Sequence, residues 1–266
     1  MNDRWDDSPQ TGIWPVTDRS ATPGPADVFV RPIMKRRATA RGAARHTESL
    51  HLPQAKEHVM ARDSLAVISR DHACHVIAED YSYKSEAYYT ILARELAGDD
   101  IRPSSRAVLD AFVVPVCLER AKNAGIPVVG WGISQAYVPL PAILYGLNYF
   151  ATASDYFVVQ NNTQAKDVIR HITNKGKYPF CYQKLEDTAT ITTCTAVFGR
   201  TTGSCAAIAG YAEKIYEIFS IPLVNMVFVR TGDEYALSSL TPTRYTRLSE
   251  GERAFLSAYR DHQEFL

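Results

Sequence analysis

Apolar positions fall into short blocks, and the spacing inside each block names its element. Residues 65–69 (LAVIS) and 75–78 (HVIA) are brief apolar runs with polar ends, the mark of two strands. Tyr88, Ile91, Leu92 and Leu96 recur at helical spacing, with Gly98 placed to end that helix. A second helix is predicted over 105–123, stopped by Gly125 and split by Pro115, which has no N–H to give. Residues 127–130 (PVVG) and 155–160 (DYFVVQ) read as strands. Asn162 or Thr163 caps the next helix, with Ala165, Val168, Ile169 and Ile172 as its stripe and Gly176 as its left-handed stop. Strands follow at 178–185 and 190–198. Ile208, Tyr211, Ala212, Ile215 and Phe219 then mark a helix ended before Pro222. Strands at 224–230 and 235–240 are joined through Thr231-Gly232-Asp233, and Ser249 with Glu252 forms a capping box for a last helix. Intermixed strands and helices predict an α/β or α+β class: a single compact mixed-sheet domain over 63–266, with flanking helices.

Residues 1–62 break the pattern. Six of the fourteen prolines fall there, periodicity is absent, and 28–46 carries Arg31, Lys35, Arg36, Arg37, Arg41 and Arg45 with no acid. Such a stretch predicts a flexible, solvated tail, with binding of nucleic acid or an acidic partner as the alternative. A contrasting stretch, 123–154, has no charged residue and holds Trp131, Tyr137, Tyr145, Tyr149 and Phe150. It reads either as an irregular wall of core or as the lining of an apolar cleft in which Ser134, Gln135 and Asn148 are the polar groups.

Composition narrows the function classes. The chain has 266 residues, 29 Lys plus Arg against 29 Asp plus Glu, and 46% apolar residues. Zero net charge argues against a globally basic nucleic-acid binder, and no apolar run reaches the roughly 18–20 residues that span a bilayer. Five cysteines without a Cys-x-x-Cys pair, behind a polar start, predict free thiols in a cytoplasmic protein. His72, Cys74 and His75 stand at a strand start, where alternate residues point apart, so no metal site is expected.

Two segments carry candidate binding chemistry. The turn 198–205 (FGRTTGSC) joins a strand to a helix, and Arg200, Thr201, Thr202 and Ser204 there suit a phosphate or carboxylate. The same composition also serves plain capping. The segment 81–89 (YSYKSEAYY) follows a strand and offers Tyr81, Tyr83, Lys84, Ser85 and Tyr88 to a substrate or partner, or simply starts a helix with half-buried tyrosines. His171 reads as a surface helix residue. No nucleophile elbow, zinc-protease motif or dinucleotide fingerprint occurs, and no catalytic residue is assigned.

Residues 78–112, with Tyr81, Tyr83, Ser85, Tyr88, Tyr89 and the pair Pro103-Ser104, resemble the RimK-like ATP-grasp N-terminal domain family. So do residues 195–255, with Phe198-Gly199-Arg200, Pro222-Leu223 and the helix start Leu248-Ser249-x-x-Glu252-Arg253. Residues 113–194 have no counterpart and are expected to be an enlargement. In that family the domain precedes an ATP-grasp ligase domain, which joins a carboxylate to an amine through an acyl-phosphate made with ATP and magnesium. The carboxylates and asparagine that hold the metal in such ligases are not found here. The resemblance therefore implies a stand-alone, ligase-associated domain. It would bind a substrate or partner for a separate ATP-grasp ligase, with no catalysis of its own and with ATP and magnesium only through that partner. Two other functions stay open: a small-molecule enzyme with a site in 123–154, and an adaptor for nucleic acid or an acidic partner through the basic tail. Oligomeric state is left open.

Overall fold

The computed structural model describes residues 65–70, 72–83, 85–147 and 156–261. The expected tail, with its basic stretch at 28–46, lies outside these residues, as do Lys84 and Asn148. All described elements belong to one unit, Glu57–Leu266.

The fold is mixed α/β, but its strands form three sheets where the sequence predicted one. The first is built from β1 (Ala66–Arg70), β2 (Ala73–Ile77) and β3 (Ile101–Arg102). β1 pairs antiparallel with β2, and β2 pairs parallel with β3 across the helix α1 (Glu86–Leu96). Ser85 caps α1 by accepting from the Tyr88 N–H at 3.1 Å. The predicted split falls at Val113, whose extended backbone (φ −92°, ψ 97°) separates α2 (Ser105–Phe112) from α3 (Val114–Asn123). Pro115 thereby sits in the first turn of α3, where its missing N–H costs no hydrogen bond.

The second sheet contains β4 (Trp131–Ser134), β5 (Ala142–Gly146), β6 (Tyr156–Val159) and β7 (Phe180–Lys184), in the antiparallel order β4-β7-β5-β6. Helix α4 (Asn162–Ile172) covers one of its faces, capped by Asn161, one residue earlier than the sequence suggested. The predicted strand 127–130 is reduced to a bridge from Val128 to Leu237, and β4 begins at Trp131. The charge-free segment is thus not an irregular wall, since it supplies β4 and β5. β5 escaped prediction because Ala142, Ile143, Leu144 and Tyr145 are buried on both faces, which erases the alternation of a half-buried strand.

The third sheet holds β8 (Thr190–Val197), β9 (Leu223–Thr231) and β10 (Glu234–Thr241), antiparallel in chain order, with α5 (Ala206–Phe219) between β8 and β9 and α6 (Glu250–Arg260) after β10. The hairpin turn and the Ser249–Glu252 capping box form as predicted. The main core lies among α1, α2, α3 and α5 and the third sheet, and takes in Ile143, Tyr145 and Cys181 of the second. A second core gathers Val197, Phe198, Leu223 and Tyr259, and a third lies between α4 and the second sheet.

Backbone constraint is sharpest where β8 turns toward α5. Gly199 has φ +74°, and a Cβ there would stand 2.8 Å from the Tyr216 Cβ. Gly210, inside α5, has nothing within 4 Å of a built Cβ. Gly199→Ala should therefore destabilise the protein by more than about 1–3 kcal/mol, whereas Gly210→Ala should stabilise it by about 0.5–1 kcal/mol. Urea unfolding of the two variants checks both signs.

Candidate functional site

Residues directly opposite one another on neighbouring strands share a face. In the second sheet one such row is Ile133, Cys181, Tyr145 and Tyr156, and the next is Trp131, Gln183, Ile143 and Val158. The opposite face, with Leu144, Phe157, Val159, Phe180 and Tyr182, belongs to the core beneath α4. The first face meets the third sheet at its centre, where Ile143, Tyr145, Cys181 and Gln183 are buried, and opens at its margins, where Ile133 is 54% and Val158 41% exposed. It packs into the main core, with Trp131 and Tyr156 partly buried against it.

The far wall is irregular where the two sheets touch. β10 pairs Leu237 with Phe228 and Ser239 with Val227, so Ser238 is an extra residue in a β-bulge. A bulge leaves ladder groups to be satisfied from elsewhere. Here Gln183 supplies the partner: its Nε2 donates to the Ser238 carbonyl at 2.7 Å. The Ser238 hydroxyl donates to Gln183 Oε1 at 2.6 Å and, having spent its proton, accepts from the Tyr145 phenol at 2.6 Å. All three side chains are buried. Burial pushes the Tyr145 phenol up, moderated by Ser238 and the nearby Ser239 hydroxyl, and pushes the Cys181 thiol up to about 12.

These groups are neutral. Asn225 on β9 bonds Thr241 on β10, Nδ2 to Oγ1, at 3.2 Å. The acids of the β9–β10 hairpin sit at its turn, where Asp233 pairs with Arg230 at 3.3 Å. Glu79 and Glu252 accept from the backbone N–H of Tyr245 and of Ser249. Among the described residues no group of three His, Cys, Asp or Glu could hold a metal ion. Magnesium asks for hard oxygen ligands, usually with carboxylates among them. The donor set of this cleft does not fit that ion.

Of the residues named in the charge-free segment, Trp131 and Tyr145 lie on this face, whereas the two predicted binding segments lie elsewhere. Tyr81 is a core residue: its phenol donates to the Val76 carbonyl at 3.0 Å and accepts from the Ala78 N–H at 3.0 Å. Its pKa is raised by burial, with Tyr216 and Tyr245 adding to the rise. Tyr88 is buried, Ser85 serves as the cap, and Tyr83 is exposed with its ring edge-on to Tyr88. In the turn after β8, Thr201 and Ser204 bond each other and Thr202 bonds Ser249 at 3.3 Å, while Arg200 is exposed. That turn follows Val197, four residues along β8 from the level of Ser239, or roughly 13 Å at strand spacing. His171 is exposed on α4, and His75 is buried with its Nε2 3.2 Å from the Tyr259 hydroxyl. Ser134 binds the N–H groups of Ala136 and Tyr137 in a turn. Sequence reasoning passed over Gln183 and Ser238. Neither stands out in sequence, since β10 reads EYALSSLT and β7 reads FCYQK, each with further polar residues.

No protein-family model matches the chain, and no curated protein matches it in sequence. Its likeness is to solved structures. A D-alanine–D-alanine ligase from Helicobacter pylori superposes with a TM-score of 0.50 at 11% identity, over 65% of each chain. A RimK domain ATP-grasp protein from Sphaerobacter thermophilus gives 0.48 at 15% identity, over 66% of this chain and 73% of that one. The chain therefore spans 65% of the length of the D-alanine–D-alanine ligase it resembles. This overturns the expectation of a ligase-associated domain that serves a separate ligase. The ligase fold extends over 65% of the chain, beyond the two stretches that suggested the associated domain, so the chain itself has an ATP-grasp-like fold. Among the described residues no helix is long and apolar enough to cross a membrane.

The buried acids of the cleft and core give a stability test. Cys117 and Cys181 have folded pKa values pushed up to about 12 by burial, from an ordinary value of 9.0. The folded state therefore holds protons that the unfolded state gives up. The stability they support is full below pH 9.0 and declines as pH rises toward about 12. Each thiol should add about 1.4 kcal/mol of loss per pH unit in that window. Urea unfolding against pH should show a shallower alkaline slope for Cys117→Val than for the native chain.

Proposed function

We propose that residues 57–266 act as an ATP-grasp-like ligase domain in their own right, clasping a nucleotide in the cleft between the four-stranded and three-stranded sheets. The reaction class that goes with this reading is the ATP-dependent joining of a carboxylate to an amine. The observation that carries it is the meeting of two sheets across a buried polar seam, inside a fold shared with a D-alanine–D-alanine ligase. The chemistry of the seam is compatible with a base-bearing ligand. A glutamine amide offers a donor beside an acceptor, the pair that matches the edge of adenine. Released from Ser238, Gln183 would present both. Trp131 and Tyr156, half-buried on the same face, provide aromatic surface for a ring.

The test places charge at the mouth. Ile133 is exposed at the margin of the cleft wall, so its substitution should leave the fold intact. A phosphate-bearing ligand should bind Ile133→Lys more tightly and Ile133→Glu more weakly, by about threefold to tenfold each at low salt. Calorimetric titration of the full chain with ATP measures both, with Leu96→Glu, on exposed surface of α1, as the control. Equal affinities for the two Ile133 variants, or no ATP binding by the native chain, would refute the reading.

A further inference from the structure

We infer that His75 and Tyr259 form a proton-sensitive clasp that holds α6 on the first sheet and, through α6, the turn 198–205. Protonation of the imidazole releases both. The clasp is independent of the ligand site proposed above. On the first sheet Ile68, His75 and Arg102 stand opposite one another in one row, and Arg70, two residues past Ile68, shares their face. That face carries α6, with Ile68 and Ile77 in one core with Leu256 and Tyr259. His75 is 3% exposed. Its Nε2 lies 3.2 Å from the Tyr259 hydroxyl, and its ring meets Tyr259 and Phe198 edge-on, with centroids 5.5 and 6.4 Å away. Tyr259 is the hub on the helix side. It stacks on Phe198 at 3.5 Å between centroids and has the Arg70 guanidinium over its ring at 4.5 Å. Its carbonyl accepts from Arg70 Nη1 at 3.4 Å.

The direction of the hydrogen bonds makes the clasp sensitive to a proton. Tyr216 of α5 bonds to Tyr259 in the sense that keeps the Tyr216 proton in place, so Tyr216 donates. The Tyr259 proton then turns to His75 Nε2, which accepts it only when bare. A proton on Nε2 sets N–H against O–H and puts a charge in a buried place. Arg70 from β1 and Arg102 from β3 bring like charge to this cluster, and Arg200 of the turn is exposed. The acids of the surrounding elements are engaged or face water. Asp100 lies 3.5 Å from Arg102, and Glu79 and Glu252 accept from the N–H groups of Tyr245 and Ser249. Glu213 and Glu217 of α5 are exposed. The folded form thus disfavours a proton that unfolded histidine takes up below about pH 6.5, and the hold weakens as pH falls. The turn after β8 feels that loss from both ends of α6. Phe198 stacks on Tyr259, while Thr202 bonds Ser249 at 3.3 Å and has its Cγ2 2.9 Å from a Cβ built on Gly251.

Hydrogen exchange of the full chain tests the clasp. It is followed by peptide mass at about pH 7.5 and about pH 5.5, either side of the ordinary histidine value, and corrected for intrinsic rates. Helix α6 should lose protection by about tenfold or more at the lower pH, while α3 keeps its own. His75→Gln, whose amide oxygen accepts from Tyr259 at either pH, should keep α6 protected at both. Loss at α3 together with α6 would mean that the chain merely unfolds, and overturns the inference. Equal protection of α6 at the two pH values overturns it as well, as does the same loss in His75→Gln as in the native chain. Should that variant fail to fold, an NMR titration of the native chain decides. The His75 ring must take up its proton at the midpoint of the α6 transition, and titration apart from that midpoint refutes the clasp.

Discussion

A peptide carbonyl buried away from water must find a donor, and much of this structure follows from how one such carbonyl is satisfied. The bulge in β10 puts Ser238 out of step with β9, and its carbonyl accepts from a side chain. The donor comes from Gln183, on a strand of a different sheet. That contact joins the two sheets: β7 brings its amide to the bulge, and β5, its neighbour, brings Tyr145 to the Ser238 hydroxyl. Covering this seam leaves Ile143 and Cys181 buried beside it and leaves Ile133 and Val158 at an open rim.

The ATP-grasp-like fold sets two sheets against each other, and here they meet through buried side chains. The chemistry of the walls is nevertheless this chain's own. Where a metal–phosphate ligand would call for charged donors, the walls carry Asn225, Ser238, Ser239, Thr241 and Gln183. The acids nearby in sequence are engaged in capping or at the hairpin turn, as with Glu252 at the start of α6 and Asp233 opposite Arg230.

Local signals in the sequence were largely faithful. The capping box at Ser249, the turn at Gly232-Asp233 and the break at Pro115 each depend on neighbouring residues alone, and each forms where expected. Signals that depend on distant partners were harder to read. β5 has apolar residues on both faces because α4 covers one and the third sheet meets the other, and neither cover shows in the run AILYG. Gln183 and Ser238 gain meaning only through each other. Among the tyrosines after β2, Tyr81 spends its hydroxyl on the backbone at Val76 and Ala78 and so pins its own turn, while Tyr83 and Tyr89 are exposed.

Chain order adds a temporal dimension to the lobe formed by the second sheet and α4. β4 closes onto β7 through pairs such as Trp131 with Gln183, so the lobe is complete only once residue 184 is available. It then has its own core and all four of its strands. Ser238 lies 55 residues beyond Gln183, past the whole of β8, α5 and β9. Domains and their parts fold as the chain emerges, and long-range contacts form late. During synthesis, the lobe can therefore settle while Gln183 and Tyr145 still face water, and the arrival of β10 docks a preformed piece.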